Sequence, residues 1–540
     1  MAVEGVMITY NYSEESEQAK IITVSSSGIK FSDRWVLAHG SLLSPLKESK
    51  VIENTIGKAT MNEEFYSKLP EVHITCEKKP SETNLYEKVE KMSKDRDTIQ
   101  GLDLGHSSYQ IKVLAGRICH VWQCPVIAAC VEEIIFGWTI GYKDGEYTNQ
   151  TDIGKTMLPI FVLIDLGSDN KDYKTLRPLS SLLDIVRPPP NRGTTVEIHS
   201  TPFGCEAFLN TVTKGWISRV VGHRPSLLLT DATTALGSEG APVFSGPDNE
   251  LVAMVACSLS WWRGEWVGLT MLAPLATVLA AKLHVIPPHM KLPAAISPHS
   301  ALIESIDKIT VQVRCGTSWG AGLYVGRGYI LTCAHVVKNY ALHRVTVFAR
   351  GRREVAIVRY KAIDDRAYDL ALLFTNPQHW TNLTPANIAK EPAVIGEPVL
   401  AAGFPYYAAD NIEELLPTIT TGHINNVSPT LVQTSCCVQS GFSGGPILRI
   451  TDRQQVEALG IITCNAKTDS GAMHPRVNMS VPLVGFDQIL HQYLDGDIDG
   501  DIRQRINSGW MKWRQVSSTT CDPRIPLKLK GRIYKTYRTV

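Results

Sequence analysis

Three residues in the later half of the chain, His335, Asp369 and Ser443, have the side chains and the order needed for nucleophilic acyl chemistry. A serine hydroxyl attacks a carbonyl carbon only when a base takes its proton and a carboxylate holds that base in the right tautomer. Ser443 lies in Gln439-Ser440-Gly441-Phe442-Ser443-Gly444-Gly445-Pro446, where small residues free the backbone to aim the N–H groups of Gly441 and Ser443 at a developing oxyanion. By itself this stretch also fits a glycine-rich turn.

The elements that must carry the other two residues are legible upstream. Tyr329-Ile330-Leu331-Thr332-Cys333-Ala334-His335 is an apolar, β-branched run that ends in a histidine, so a strand is expected with His335 at its end, facing a cleft. Tyr368-Asp369-Leu370-Ala371-Leu372-Leu373-Phe374 sets an acid at the mouth of a second apolar run, where its use is to receive a hydrogen bond. Asp364 and Asp365 stand nearby and could serve instead. The order histidine, aspartate, serine is that of chymotrypsin-like enzymes, and it differs from the subtilisin and α/β-hydrolase orders.

The first half repeats the second. Trp35-Val36-Leu37-Ala38-His39 follows Ser27-Gly28-Ile29 much as Leu331 to His335 follows Gly326-Arg327-Gly328. Thr230 to Pro242 aligns without gaps on Thr434 to Pro446, which puts Glu239 where Ser443 stands. A carboxylate there cannot do a serine's chemistry, and Ser238, one residue off, should point elsewhere. The matching apolar strand, Met157 to Ile164, opens without an acid, so His39 and Glu239 are degenerate counterparts.

The expected architecture is therefore all-β dominated, with two tandem chymotrypsin-like double β-barrel units, the first degenerate and the second catalytic. The first domain covers 1–294 and carries a polar insertion near 54–117 with a surface helix at Tyr86 to Lys94. The catalytic domain covers 295–500, after a proline-rich linker, and 501–540 is a basic tail containing Trp510, Trp513, Tyr534 and Tyr537. Helices are expected over Pro274 to Leu283 and Val484 to Tyr493. A chain of 540 residues suits two such domains.

Composition narrows the class. The net charge of +1 gives no global electrostatic case for nucleic acid. The apolar runs are too short for a membrane span, and the amino terminus shows neither a basic leader nor an apolar core of a secretory signal. The 12 cysteines are scattered, as reduced core thiols would be. Cys119-His120 with Cys124 and Cys130 lacks the paired spacing of a zinc site, so neither metal nor cofactor is expected. After Ser443, the runs Ala458 to Cys464 and Val477 to Pro482 should wall the substrate pocket, with Cys464, Asn478 and Ser480 lining it. No aspartate sits at its base as trypsin specificity needs, and the small polar and apolar walls favour a small residue before the cut.

Thr317-Ser318-Trp319-Gly320-Ala321-Gly322, the histidine strand, Tyr368 to Leu373 and Gly441 to Pro446 resemble trypsin-type peptidases of the HtrA-like branch. More narrowly, Ser200-Thr201-Pro202-Phe203-Gly204, Leu228 to Ala232 and Cys315 to Gly320 resemble the peroxisomal leader peptide-processing protease family. The resemblance implies a serine endopeptidase that cuts beside cysteine, removes leader peptides from peroxisomal matrix precursor proteins and processes itself. Its partners would be those precursors and leader peptides, with a homo-oligomer left open. It also implies a Ser-Lys-Leu-like address, whereas the chain ends Tyr537-Arg538-Thr539-Val540. Piggy-back import, another address or residence in the cytoplasm stay open. Two other readings stand beside this one: an HtrA-like quality-control protease of cytosol or mitochondria, and a non-catalytic scaffold binding peptides by strand addition.

Overall fold

The computed structural model describes residues 3–13, 21–48, 69–77, 111–135, 137–141, 154–167, 176–222, 225–262, 265–285, 299–362, 368–405, 415–467 and 473–484. The helix expected over Tyr86 to Lys94, most of that over Val484 to Tyr493, the linker, and the basic tail lie outside these residues. So does Cys521, and the 11 described cysteines are all free thiols.

Two compact units divide the chain. One comprises Met1–Asn191, Thr195–Trp261 and Leu269–Ala295, and the other comprises Arg192–Thr194, Trp262–Gly268 and Ile296–Val540. Each contains two closed antiparallel barrels of six strands. Closure leaves no free edge in any of these four barrels, the usual liability of all-β chains.

In the first unit, barrel 1 runs in spatial order Glu4–Ser13, Ile21–Lys30, Trp35–His39, Ile160–Asp165, Ile111–Gln123 and Glu71–Glu77. Glu71–Glu77 and the first half of Ile111–Gln123 fall within 54–117, so that stretch is not simply a solvated insertion: it contributes to a barrel wall. The reason it is hard to read is visible in Glu71–Glu77. Only Val72, Ile74, Thr75 and Cys76 are buried, in a short run flanked by Lys and Glu. Barrel 2 uses Thr195–Ser200, Thr211–Val221, Leu227–Thr230, Pro242–Ser245, Glu250–Cys257 and Thr270–Pro274, and the expected helix follows at Leu275–Leu283.

In the second unit, barrel 3 is built from Thr310–Cys315, Ser318–Gly326, Tyr329–Thr332, Val345–Ala349, Arg352–Lys361 and Ala371–Phe374. Barrel 4 uses Pro398–Gly403, Thr418–Ser428, Leu431–Thr434, Pro446–Ile450, Val456–Lys467 and Met473–Pro482. The register that matters pairs Tyr329 with Phe374 and Thr332 with Ala371. Continued past the strand ends, it runs His335 alongside Tyr368 and Asp369. A one-residue slip in this pairing would carry His335 out of line with Asp369.

Two buried polar groups in these units give measurable consequences. In the second unit, Arg192 donates to Asp307 Oδ2 and to the carbonyl of Pro417, both at 2.5 Å, with the two charged side chains only 11% and 9% exposed. Burial raises the Asp307 carboxyl and the Arg192 charge pulls it back down. Arg192→Ala strands that carboxylate, so the unfolding transition of the second unit should lose about 3 to 5 kcal/mol; calorimetry on the full chain reads it. In the first unit, His39 is buried, edge-on to Phe161 at 5.7 Å, with Nε2 3.0 Å from the carbonyl of Leu158 and Nδ1 3.1 Å from Ser41 Oγ. Burial pushes its pKa down to about 4. Between pH 6.5 and 4 the unfolded chain therefore takes up a proton that the folded unit refuses, and stability falls as pH falls. The loss should reach about 3 kcal/mol below pH 4, and a His39→Asn variant should lack this component in urea titrations across that range.

Candidate active site

His335 and Asp369 meet as the strand register requires. The backbone N–H of His335 donates to Asp369 Oδ1 at 2.9 Å, and its Nδ1 is hydrogen-bonded to Asp369 Oδ2. Engaging both carboxylate oxygens fixes the acid, and the acid favours the imidazole tautomer with its proton on Nδ1, which leaves the Nε2 lone pair free to accept a proton. Asp369 is 33% exposed at its side chain, so the acid is partly open to solvent and not deeply buried. Asp364 and Asp365 lie outside the described residues.

Ser443 is carried by the loop between Leu431–Thr434 and Pro446–Ile450 of barrel 4. That loop is held against barrel 3 of the same unit by Ala321 N–H, which donates to the carbonyl of Ser443 at 2.8 Å, and within barrel 4 by Gly444 N–H, which donates to that of Ile462 at 2.8 Å. Glycine is required at 444, where φ is +87° and a Cβ would sit 2.1 Å from the carbonyl oxygen of Ala321. It is required again at 441, with φ +102° and a Cβ 2.2 Å from that of Phe404. Among the described residues the N–H groups of Gly441 and Ser443 donate to no backbone acceptor. Two unspent N–H groups beside a serine are what an oxyanion needs.

The hydroxyl of Ser443 donates to the carbonyl of Thr463 at 3.3 Å, so in this structure its own bond goes there and not to the imidazole. Catalytic hydrogen bonds often tighten only with substrate bound. Cys333 completes the surroundings. Its Sγ, that ring and the Asp369 carboxylate lie within 4.8 Å of one another, but the thiol donates to the carbonyl of Ile462 at 3.1 Å, and burial holds it protonated well above its ordinary range.

The residues expected to line the pocket divide. Cys464 is exposed beside Thr463. Asn478 is fully buried and spent on structure: it accepts from Thr434 Oγ1 at 2.5 Å and donates to the carbonyl of Cys436 at 2.7 Å. Ser480 is also fully buried, facing the interior of barrel 4. Composition on a strand cannot tell a pocket wall from a core face when both are small and polar. Thr463, Cys333 and Trp319 were not assigned roles from sequence. Trp319 donates from Nε1 to the carbonyl of Phe404, 3.1 Å away, beneath Gly441. Its position within the Trp-Gly-Ala-Gly motif was the available signal.

The first unit keeps the loop with Glu239 in place of the serine. Ser27 N–H donates to the carbonyl of Glu239 at 2.9 Å and Gly240 N–H to that of Val255 at 2.8 Å, duplicating the bonds around Ser443 and Gly444. Gly237 has φ +88°, like Gly441. Here, however, the Gly237 N–H donates to Glu239 Oε2 at 3.0 Å, and Ser258 N–H donates to Oε1 at 3.1 Å. The counterpart of the oxyanion donor is occupied by the loop's own carboxylate, which burial raises above its ordinary range. Ser238 points away, into a buried contact with Ser200 Oγ at 3.2 Å. His39 faces Leu158, and the one acid of the matching strand, Asp165 at its far end, binds Arg34 at 2.7 Å.

Residues 320–460 match the trypsin-like peptidase domain, a span that contains His335, Asp369 and Ser443. The peroxisomal leader peptide-processing protease of Mus musculus is 33% identical over 329 residues, 56% of this chain and 56% of its own length. That of Homo sapiens is 33% identical over 339 residues, 58% of each. The chain thus spans a little over half the length of these curated relatives. Among solved structures, the Rv3671c protease in its inactive form has a TM-score of 0.27 and 22% identity, covering 34% of this chain and 90% of that one. An inactive mutant form from M. tuberculosis H37Rv has 0.29 and 21%, covering 37% and 93%. In its second half the chain matches a trypsin-like peptidase domain and, over the stretch they share, it is similar to the peroxisomal leader peptide-processing proteases.

Proposed function

We propose that the chain is a serine endopeptidase that removes leader peptides from peroxisomal matrix proteins. The observation that carries the proposal is the His335–Asp369 pair on the same unit as a serine loop with two uncommitted N–H groups. The names of the homologues support the substrate class and the compartment.

In this reading the Ser443 hydroxyl leaves the carbonyl of Thr463 by a change of rotamer. It then attacks the scissile carbonyl carbon while its proton passes to His335 Nε2. The carbonyl π-electrons move onto oxygen, where Gly441 and Ser443 N–H groups receive them. The His335 imidazolium, held by Asp369, returns the proton to the leaving amine as the C–N bond breaks. Water then repeats the cycle on the acyl-enzyme and frees the serine.

Fluorophosphonate should label one serine per chain in the wild type and none in Ser443→Ala. Retained labelling in that variant would overturn the assignment. Asp369→Asn should fold normally and lower kcat on a cysteine-containing leader peptide by about 10⁴, since the amide would hold the imidazole in the wrong tautomer. Equal turnover by wild type and His335→Ala would sink the base assignment.

A further inference from the structure

The orientation of one peptide group decides whether the candidate oxyanion hole exists. The Gly441 N–H direction is set by ψ of Ser440 and φ of Gly441, and a glycine at φ +102° offers little intrinsic resistance to rotation of that plane. What holds its flanks therefore sets its aim. On the carboxyl side, Gly441 accepts at its carbonyl from Phe404 N–H at 3.0 Å.

On the amino side the hold comes from a short segment remote in sequence. Trp262–Gly268 folds as part of the second unit. Within it, Glu265 Oε2 accepts a hydrogen bond from Ser440 Oγ at 2.5 Å. A hydroxyl bonded to a carboxylate is of the short, charge-assisted kind. The segment itself is anchored on the same ground. Cys437 Sγ lies 3.6 Å from the carbonyl of Val267, and Gly268 backs so closely on Pro475 and Cys437 that a Cβ would come within 2.8 Å and 3.0 Å of them. Trp262 stands edge-on to Trp319 at 5.5 Å, and Trp319 holds the carbonyl of Phe404. Segment, tryptophan pair and nucleophile loop are thus linked around Gly441.

We propose that Glu265 is a positioning residue for the oxyanion hole, acting through Ser440 to keep the Gly441 N–H aimed at the reacting carbonyl. The proposal rests on the peptidase reading above. Glu265 touches no reacting atom. Its carboxylate fixes the peptide plane one residue along.

The test uses the full chain and four variants: Glu265→Ala, Glu265→Gln, Ser440→Ala and the double change Glu265→Ala with Ser440→Ala. Competent sites are counted by fluorophosphonate titration, and kcat per titrated site and KM are measured on a leader-derived peptide ester. A matching peptide aldehyde, whose hemiacetal oxygen must enter the hole, gives an inhibition constant. Loss of one oxyanion donor typically lowers kcat by about 10² to 10³, so loosening one should lower it about 10- to 100-fold at unchanged KM. Aldehyde affinity should fall in parallel, Glu265→Gln should be milder, and the double variant no worse than either alanine change alone. The proposal is overturned if kcat per titrated site stays within twofold of wild type, if the loss lies in KM alone, or if the double variant multiplies the two losses. If the wild type neither titrates nor turns over, the peptidase reading itself falls and takes this inference with it; an active wild type with unaffected variants removes the inference alone.

Discussion

The hydrogen bond from Ala321 N–H to the carbonyl of Ser443 is the constraint on which the candidate chemistry depends. Base and acid grow from barrel 3, the nucleophile from barrel 4, and a triad is useful only if the two barrels share one frame to within a fraction of an ångström. Around that bond the fit is close. Thr332 Oγ1 donates to the carbonyl of Ala321, Gly444 packs on that same oxygen, and the buried Cys333 thiol donates to Ile462 on the far barrel. Gly444 and Cys333 thus tie barrel 3 to barrel 4, and Thr332 braces the Ala321 carbonyl from within barrel 3. Small residues and a glycine are needed there because any bulk would pry the barrels apart.

The equivalent bond in the first unit, Ser27 N–H to the carbonyl of Glu239, survives without any triad to serve. Ser26 and Ser27 hydroxyls add bonds to the carbonyls of Glu239 and Gly237. The joint between barrels thus forms in the first unit without a triad, and the chemistry proposed for the second unit would use a structural feature that stands without it. This accounts for the gapless alignment of the loop across the two halves although the first lacks an acid where the second has Asp369.

Much of this was legible in the chain because strand register does the positioning. An apolar run ending in His335 and another beginning after Asp369 need only pair antiparallel for the two to meet, and both runs are visible as sequence. The duplicated glycine loop was legible for the same local reason. What could not be read is whatever depends on contacts far apart along the chain. Glu71–Glu77 looks like a charged surface stretch until its partner strands bury one face. Asn478 looks like a pocket residue until Thr434 and Cys436 claim both ends of its amide. Glu265, 175 residues from Ser440, carries no local mark at all.

The first unit's loop shows a way of going silent other than decay. Its carboxylate takes the same backbone donor that an attacked carbonyl would use, so the fold holds, permanently and within one molecule, something akin to an inhibitor complex of itself. A ligand seeking that donor must displace a group of the same loop, two residues away. Restoring serine at 239 would vacate the donor and still leave an imidazole facing Leu158, with no acid behind it. The retired copy is thus guarded twice, and chemistry can return to it only by several coordinated changes.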